Sequence, residues 1–380
     1  MKFLFASDSF KGTLSSEKTG ELLTRAAAQI FPEAECSCVF VADGGEGTTE
    51  AVIRETDGEK IHLSVTGPLG AATEAFYGRI DGKKAVLEMA QASGLLLISR
   101  EERNPEKTTT YGTGEMIKDA LSRGFTDISI AIGGSATNDG GMGCMEALGV
   151  RFLDKEGKSL RGRGENLEKI ASIDLTGLDR RIKDARFTVM CDVTNPLCGK
   201  DGATYTFGAQ KGGTPQMLDR LERGMENYRN ILLSSFGVNV DEIPGSGAAG
   251  GLGAALCVFL KGEMKSGIDT VLDLIQFDKR LEGVSLVVTG EGRADWQSCF
   301  GKVMEGVGMR CKCHKIPAVA LVGSMGQGAE NIFQYGICSM MTTVNGIMPL
   351  EEALEKAEEL YYEGAVRLFR MLQAGMRLSG

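Results

Sequence analysis

The chain opens with apolar runs on either side of a segment with helical periodicity. Residues 3–6 are apolar, residues 22–30 carry apolar side chains at the spacing of one helix face, and residues 39–42 are apolar again. Pro32 ends the helical segment. A strand, a helix and a strand in this order form a βαβ unit, so the sequence predicts a parallel sheet.

The same patterns continue along the chain. Apolar and polar side chains alternate between residues 61 and 88, which predicts antiparallel strands. Longer periodic segments predict helices over residues 215–236 and 350–372. Short aliphatic runs predict further buried strands at residues 128–132, 187–190, 284–288 and 318–322.

The chain is long enough for two domains, because 380 residues exceed the roughly 250–300 at which a single core stops growing. Near residue 65 the pattern changes from buried strands alternating with helices to strands of the antiparallel type. Near residue 283 the alternation of buried strands and helices resumes. The sequence therefore predicts an α/β protein of two α/β domains. Residues 1–65 and 284–380 form one of them, and residues 66–283 form a second domain inserted into it.

Composition narrows the possible partners. The net charge of −9 and the lack of basic runs argue against nucleic acid, and no apolar run is long enough to span a membrane. No signal-peptide core follows the first methionine, so we expect a cytoplasmic protein with reduced cysteines.

A small-molecule ligand is the expected partner, while monomer and dimer both remain open. The cluster Cys311, Cys313 and His314 lacks zinc-site spacing and indicates chance proximity.

The chain is rich in glycine, with 52 in all, and glycine recurs with acidic and hydroxyl residues in the loops that follow the predicted strands. Ligands of open parallel sheets bind at the carboxyl ends of the strands, where glycines let backbone N–H groups approach an anion. The same residue types also favour ordinary turns and helix caps, but their recurrence in long loops favours a binding edge. The loops read "SDSFKG", "DGGEG", "GGSATNDGG", "CDVTNPLCG", "TGEGRAD" and "GSMGQG".

The charged residues of these loops suggest phosphoryl transfer. Numerous carboxylates with few histidines suit Mg²⁺, and a few cations with glycine-rich cradles suit phosphate groups. The sequence therefore indicates a kinase of a small molecule. The acidic residues are Asp8, Asp43, Glu46, Asp139, Asp192, Glu291 and Asp295, and the cations are Lys11, Lys211, Arg293 and Lys302.

Other enzyme classes have weaker signals. No Walker A pattern is present, and His62 and His314 assemble into no convincing catalytic triad. A G-x-G-x-x-G pattern at Gly245, Gly247 and Gly250 could mark a dinucleotide site, but "VDEIP" rather than a buried strand precedes it. A glycine-capped helix start is the better interpretation. An NAD(P)-dependent hydroxyacid dehydrogenase and a non-catalytic binding protein for small hydroxy acids remain the alternatives.

Eight motifs in this order resemble those of the bacterial-type glycerate kinase family. They are "DSFKGTLSS", "ADGGEGT", "GPLG", "IGGSATNDGG", "CDVTNPLCG", "FGAQKG", "PGSGAAGGLG" and "TGEGRADWQSCFGK", and the match runs from about residue 2 to 375. The resemblance implies ATP-dependent phosphorylation of D-glycerate, typically at the 2-hydroxyl, with Mg²⁺. It also implies a flavodoxin-like domain built from both chain ends, an inserted domain, and a site in the cleft between them.

The resemblance also implies a set of site residues, and we infer the role of each within that set. Arg293 is expected to pair with the substrate carboxylate through its guanidinium fork, and Lys11 to neutralise the transferring phosphoryl group. Asp43, in preference to Asp192, is expected to accept the hydroxyl proton. Magnesium ligands are expected at Asp139, Asp295 and Glu46. Substrate or nucleotide contacts are expected at Asp8, Ser9, Gly44, Gly45, Gly133, Gly134, Ser135, Thr137, Asn138, Asn195, Gly290 and Glu291.

Overall fold

The structure, a computed structural model, describes residues 1–10, 12–299 and 301–378. The strands are β1 (Lys2–Phe5), β2 (Glu35–Cys38), β3 (Glu59–Thr66), β4 (Ala72–Arg79), β5 (Lys84–Glu88), β6 (Asp127–Ala131), β7 (Arg151–Leu153), β8 (Ser159–Leu160), β9 (Ser172–Asp174), β10 (Arg186–Met190), β11 (Glu263–Lys265), β12 (Leu286–Thr289), β13 (Arg293–Ala294), β14 (Ala318–Val322), β15 (Ser324–Met325) and β16 (Ile337–Thr342). The helices are α1 (Ser16–Ile30), α2 (Thr48–Glu55), α3 (Ala90–Ser93), α4 (Tyr111–Ser122), α5 (Met142–Ala147), α6 (Ala203–Phe207), α7 (Pro215–Phe236), α8 (Ala248–Leu260), α9 (Gly267–Leu274), α10 (Phe277–Arg280), α11 (Val303–His314), α12 (Leu350–Glu355) and α13 (Ala357–Leu378).

The chain divides into two compact units. Unit 1 comprises Met1–Asp43 and Gly267–Gly380, and unit 2 comprises Gly44–Ser266. Both boundaries therefore lie earlier than the predicted ones near residues 65 and 283. The first moves because β3 pairs along its whole length with β4 and α2 packs against β4 and β5, which together tie residues 44–65 to the sheet of unit 2. The second moves because α9 packs against α11 of unit 1.

Unit 1 is a parallel α/β fold. Its sheet has the strand order β2-β1-β12-β14-β16, and each neighbouring pair is parallel. Numbered in chain order, this is the 2-1-3-4-5 order of flavodoxin-like folds. Phe3 and Phe5 of β1 pack against Phe369 of α13, which buries one face of the sheet. The predicted α/β class is confirmed.

Two predicted elements of unit 1 differ from the structure. The second strand is the edge strand at Glu35–Cys38 and not residues 39–42, although Val39 still donates its backbone N–H to Phe5 O (2.8 Å). The predicted helix over residues 350–372 is two helices, α12 and α13, separated at Lys356. The apolar pattern indicated the burial of Val39, Val41 and α13 correctly, but it showed neither the exposure of α12 nor where the backbone hydrogen bonding changes.

Unit 2 carries a mixed sheet of order β3-β4-β5-β6-β10-β11. The strands β3, β4 and β5 pair antiparallel, which confirms the prediction for residues 61–88. The strands β5, β6, β10 and β11 are parallel, so their carboxyl ends share one edge. The core between this sheet and its helices includes Ile128, Ile130 and Phe187, as their aliphatic pattern predicted.

Helix α7 shows how local sequence sets an element of unit 2. The side chain of Thr214 accepts a hydrogen bond from the N–H of Met217, Pro215 begins the helix, and Gly237 ends it at φ 68°. These are the preferred residues for an N-cap, a first turn and a left-handed end. The predicted bounds are confirmed. Throughout the described ranges, no helix combines the length and apolarity that crossing a membrane requires.

Candidate active site

The loop after β6 in unit 2 is held by backbone hydrogen bonds from the segment that follows β5. Leu95 N donates to Gly134 O (2.8 Å), and Ala136 N donates to Ser93 O (2.9 Å). Gly134 has φ 75°, a left-handed conformation that favours glycine. The loop thus has a fixed path before any ligand is considered.

The glycine loop before α2 lies beside this segment. A Cβ atom on Gly133 would stand 3.6 Å from Gly45 Cα, so the two glycine loops lie in close contact. Glu88, at the end of β5, accepts hydrogen bonds from the backbone N–H groups of Thr49 (2.6 Å) and Gly47 (3.3 Å). Burial raises the pKa of Glu88, while these hydrogen bonds oppose the shift. Glu88 therefore fixes the start of α2 next to the loop after β6.

Asp139 is a buried structural carboxylate. It accepts four hydrogen bonds: from the Thr110 N–H and hydroxyl (both 2.8 Å), and from the N–H groups of Gly141 and Gly143 (both 3.1 Å). Burial raises its pKa, and the hydrogen bonds act in the opposite direction. Because both oxygens are engaged and no solvent reaches them, we withdraw Asp139 as a magnesium ligand. Its role is to join the loop after β6 to the starts of α4 and α5.

Thr137 and Asn138 are completely buried. Asn138 Nδ2 donates to Thr204 Oγ1 (3.2 Å) of α6. Among the described residues, Thr137 Oγ1 and Asn138 Oδ1 are buried oxygens with no hydrogen-bond partner. Ser135, by contrast, retains a small exposed surface. Of the predicted contact side chains Ser135, Thr137 and Asn138, Ser135 is the one that keeps some exposure.

Lys211 lies beneath this loop with almost its whole surface buried. Its ammonium group donates to Ser135 Oγ (2.8 Å) and to the carbonyl oxygen of Thr137 (2.6 Å). Burial lowers the pKa of Lys211 from 10.5 to about 7, although the charge of Asp139 opposes this shift. Since Ser135 Oγ accepts from Lys211, its own hydroxyl proton is available to donate elsewhere.

The loop after β10 completes the set in unit 2. Asn195 Nδ2 donates to Asp201 O (2.7 Å), and Asn195 O accepts from Gly247 N (3.0 Å), so Asn195 braces the loop itself. Gly140 N in turn donates to Gly250 O (2.9 Å). The loops after β6 and β10 and the start of α8 therefore come together. Asp192 follows β10 with an exposed side chain, and Glu46 before α2 is also exposed.

The G-x-G-x-x-G pattern serves this packing. Ala249, Gly250 and Gly251 have positive φ at the start of α8, and a Cβ on Gly250 would stand 2.0 Å from Thr137 O. The residues before it form a 3-10 turn over Val240–Glu242 instead of a strand. This is the glycine-capped helix start that the sequence favoured, and it is unlike the strand-to-helix turn of a dinucleotide site.

Unit 1 brings its own predicted residues to the carboxyl edge of its sheet. Asp8 N donates to Gly290 O (2.9 Å), which joins the ends of β1 and β12, and Ser9 N donates to Asp8 Oδ1 (2.6 Å). Glu291 is buried and accepts from Ser298 Oγ. Burial raises the pKa of Glu291; the Ser298 hydrogen bond and the charge of Lys302 oppose this, and the charge of Asp8 reinforces it.

Arg293 and Asp295 lie at the exposed side of this edge. Arg293 Nε is 3.8 Å from Asp295 Oδ2, a weak ion pair, and most of the Arg293 side chain is exposed. A guanidinium in this state is available to a carboxylate ligand. Asp43 is half-buried at the end of the first segment of unit 1, and the predicted Lys11 lies outside the described residues.

The structure therefore gathers the predicted residues within each unit. The sequence did not reveal the positioning roles of two residues. Lys211 was expected only as a nearby cation, and Glu88 was not expected at all. Each is a charged residue inside or directly after an apolar or glycine-rich segment, and that placement was the available signal.

Throughout the ranges 1–10, 12–299 and 301–378, no three His, Cys, Asp or Glu residues group as a metal site. His314 ends α11.

Comparison with known proteins places the chain in a family. The model of the glycerate kinase family matches residues 3–373. The chain is 44% identical to glycerate kinase of Bacillus subtilis (strain 168) over 368 residues, 97% of this chain and 96% of the relative. It is 42% identical to glycerate 2-kinase of Escherichia coli (strain K12) over 381 residues, 100% of both chains. A crystal structure assigned to glycerate kinase 2 of Salmonella typhimurium LT2 superposes with a TM-score of 0.88 at 41% identity, covering 99% of each chain. The chain therefore belongs to the glycerate kinase family, and it is an enzyme of the kinase class.

Proposed function

We propose that this enzyme transfers the terminal phosphoryl group of ATP to D-glycerate, with 2-phospho-D-glycerate as the product. The family match across residues 3–373 carries the proposal, and relatives named glycerate kinase and glycerate 2-kinase support it. The cytoplasm is the proposed compartment. Each unit holds a set of the proposed site residues at the carboxyl edge of its own parallel sheet.

In this proposal, unit 2 supplies hydrogen-bond donors. The backbone of Gly133 and Gly134 is accessible because neither carries a side chain, and the Ser135 hydroxyl is oriented by Lys211. Phosphoryl transfer depends mainly on positioning and charge neutralisation, so donors with a fixed orientation are what the reaction needs. The hydrogen bonds of Leu95 and Ala136 to this loop hold it in place.

Unit 1 supplies charged groups. Arg293 is proposed to bind the carboxylate of glycerate, since a planar guanidinium pairs with a carboxylate through two hydrogen bonds. The ion pair of Arg293 with Asp295 is long and exposed, so it can be exchanged for a pair with substrate at little cost.

Mg²⁺ fits the oxygen-rich donor set of unit 1. This ion is usually bound by one or two carboxylates together with substrate phosphates, so a cluster of three protein ligands is not required. Asp8 and Glu291 line the same cavity and are close enough for the charge of one to shift the pKa of the other. We propose this pair, with Asp295, as the residues that would hold Mg²⁺, and retain Glu46 only as a second candidate. When bound, Mg²⁺ would neutralise charge on the transferring phosphoryl group.

Asp43 is the proposed acceptor of the hydroxyl proton, in preference to Asp192. We expect Asp43→Asn to leave ATP binding nearly unchanged while turnover falls by about 100-fold or more, a typical contribution of a positioned base. The assay couples ADP release to an NADH-consuming reaction with D-glycerate as the varied substrate, and Asp192→Asn serves as the matched control. Turnover of Asp43→Asn within a few-fold of the parent would assign the proton to another group.

Three measurements, namely ADP release, NAD(P)⁺ reduction without ATP and glycerate binding, separate the alternatives. ADP release that depends on D-glycerate supports the kinase. Reduction of NAD(P)⁺ by glycerate without ATP would instead indicate a hydroxyacid dehydrogenase, and saturable glycerate binding without turnover would indicate a binding protein.

A further inference from the structure

Unit 1 contains a cavity of about 450 Å³ at the carboxyl edge of its parallel sheet. The segments that follow β1, β12, β14 and β16 all contribute to its lining, and α12 and α13 close one side. This is the position at which open α/β sheets bind ligands, outside the strand ends and near the point where the strand order reverses. The volume falls within the roughly 300–1,000 Å³ of pockets that enclose drug-sized ligands.

The lining has a charged part and a larger apolar part. Asp8, Glu291 and Lys302 provide the charged part, while Phe10 and Leu354 belong to the apolar part. D-Glycerate is a three-carbon acid with two hydroxyl groups, so it has almost no apolar surface to place against such walls. The cavity is therefore too large and too apolar to be explained by glycerate alone.

Helix α12 gives an independent reason to expect an occupant. None of its residues is buried, and Leu350 and Leu354 are 73% and 47% exposed although both line the cavity. The other side of this short helix carries Glu351, Glu352 and Glu355. Two leucines that face a cavity and remain exposed gain stability only when an apolar group covers them.

We propose that this cavity binds the nucleoside of the nucleotide phosphoryl donor, with the phosphates directed towards Lys302. The proposal rests on the proposed kinase function and adds the location of the nucleoside. A flat heteroaromatic base supplies the apolar surface that the lining requires, and the ribose and phosphates suit the charged part. Arg293, at the rim of the same cavity, remains available to glycerate.

The first experiment fills the cavity. Ala353 lines it from α12, so Ala353→Trp places an indole in the space of the nucleoside, whereas Glu351→Trp adds the same group on that helix outside the lining. We expect Ala353→Trp to raise the KM for ATP about tenfold or more, because the contacts to the base are lost. The KM for D-glycerate should change less than about twofold. Glu351→Trp should match the parent. An unchanged KM for ATP, or a rise in the KM for glycerate alone, overturns the proposal.

The second experiment measures binding without turnover, so that it does not depend on the reaction proposed for the enzyme. Calorimetry of the full-length chain uses adenosine and inorganic tripolyphosphate as separate probes. We expect Ala353→Trp to weaken adenosine binding and spare tripolyphosphate, and Lys302→Met to do the reverse. If adenosine binds the parent and Ala353→Trp equally, or not at all, the assignment is wrong. If adenosine binding behaves as expected but glycerate is not phosphorylated, the pocket stands and the proposed function fails.

Discussion

Lys211→Met is the substitution whose effect on stability the structure specifies most closely. The parent ammonium group is buried and donates to Ser135 Oγ and Thr137 O. Methionine has a similar length but no donor, so the variant removes both hydrogen bonds and also removes a buried charge. These two effects have opposite signs, and they can be separated because only one of them depends on pH.

The pH-dependent part follows from the pKa of Lys211, which burial lowers from 10.5 to about 7. Between these values the unfolded chain binds the proton and the native protein does not, so stability rises with pH. Each pH unit is worth about 1.4 kcal/mol, so the buried lysine lowers the free energy of unfolding by about 5 kcal/mol well below pH 7. The cost shrinks as the pH rises and is absent above 10.5, the unfolded value.

The pH-independent part is the loss of the hydrogen bonds. Leaving a buried acceptor such as Thr137 O unsatisfied costs about 1–3 kcal/mol. Because this part does not change with pH, we expect the free energy of unfolding of the parent to rise relative to that of Lys211→Met by about 2 kcal/mol between about pH 7 and about pH 9. Titrating groups that do not interact with Lys211 contribute equally to both proteins and cancel in the difference.

The assay is urea unfolding of parent and variant at both pH values, followed by circular dichroism. NMR of lysine side chains labelled with carbon-13 measures the pKa directly, with Lys211→Met identifying the signal that disappears. A stability difference that does not change with pH, together with a Lys211 signal that titrates near 10.5, would refute the argument.

Two further substitutions test the packing of the loop after β6. Asp139→Asn should lower the free energy of unfolding by about 2–4 kcal/mol, because an amide cannot accept all four hydrogen bonds and places a donor against N–H groups; a loss below about 1 kcal/mol, measured by urea unfolding, would contradict this. Gly250→Ala should cost more than about 2 kcal/mol, because its φ is 65° and its Cβ would stand 2.0 Å from Thr137 O. Gly157→Ala, with φ 78° but nothing within 4 Å, is the matched control and should cost about 1 kcal/mol; equal costs would count against close packing at Gly250.

Much of the fold could be predicted from the sequence because its signals are local. Helix α7 has its N-cap and proline at one end and its terminal glycine at the other, and the strands β6 and β10 are short segments rich in apolar residues. The unit boundaries depend on which strands pair. β3 alternates like an ordinary edge strand, and only its pairing with β4, together with the packing of α2 against β4 and β5, shows that residues 44–65 belong to unit 2.

The candidate site could be predicted in residue type but less well in role. Asp139 has the composition of a metal ligand, yet its carboxylate is occupied by Thr110, which lies 29 residues earlier in the chain. Lys211 reaches Ser135 across 76 residues. Such contacts are set by tertiary packing, and a sequence motif indicates only that the residues matter.

The central claim is that this enzyme phosphorylates the 2-hydroxyl of D-glycerate with ATP. Phosphorus NMR of the mixture after incubation with ATP, Mg²⁺ and D-glycerate tests it most directly, because the two isomers of phosphoglycerate give distinct signals. The account predicts ADP and 2-phosphoglycerate in equal amounts. ATP hydrolysis without a phosphorylated acid would contradict the proposed activity, and 3-phosphoglycerate as the product would contradict the proposed position of attack.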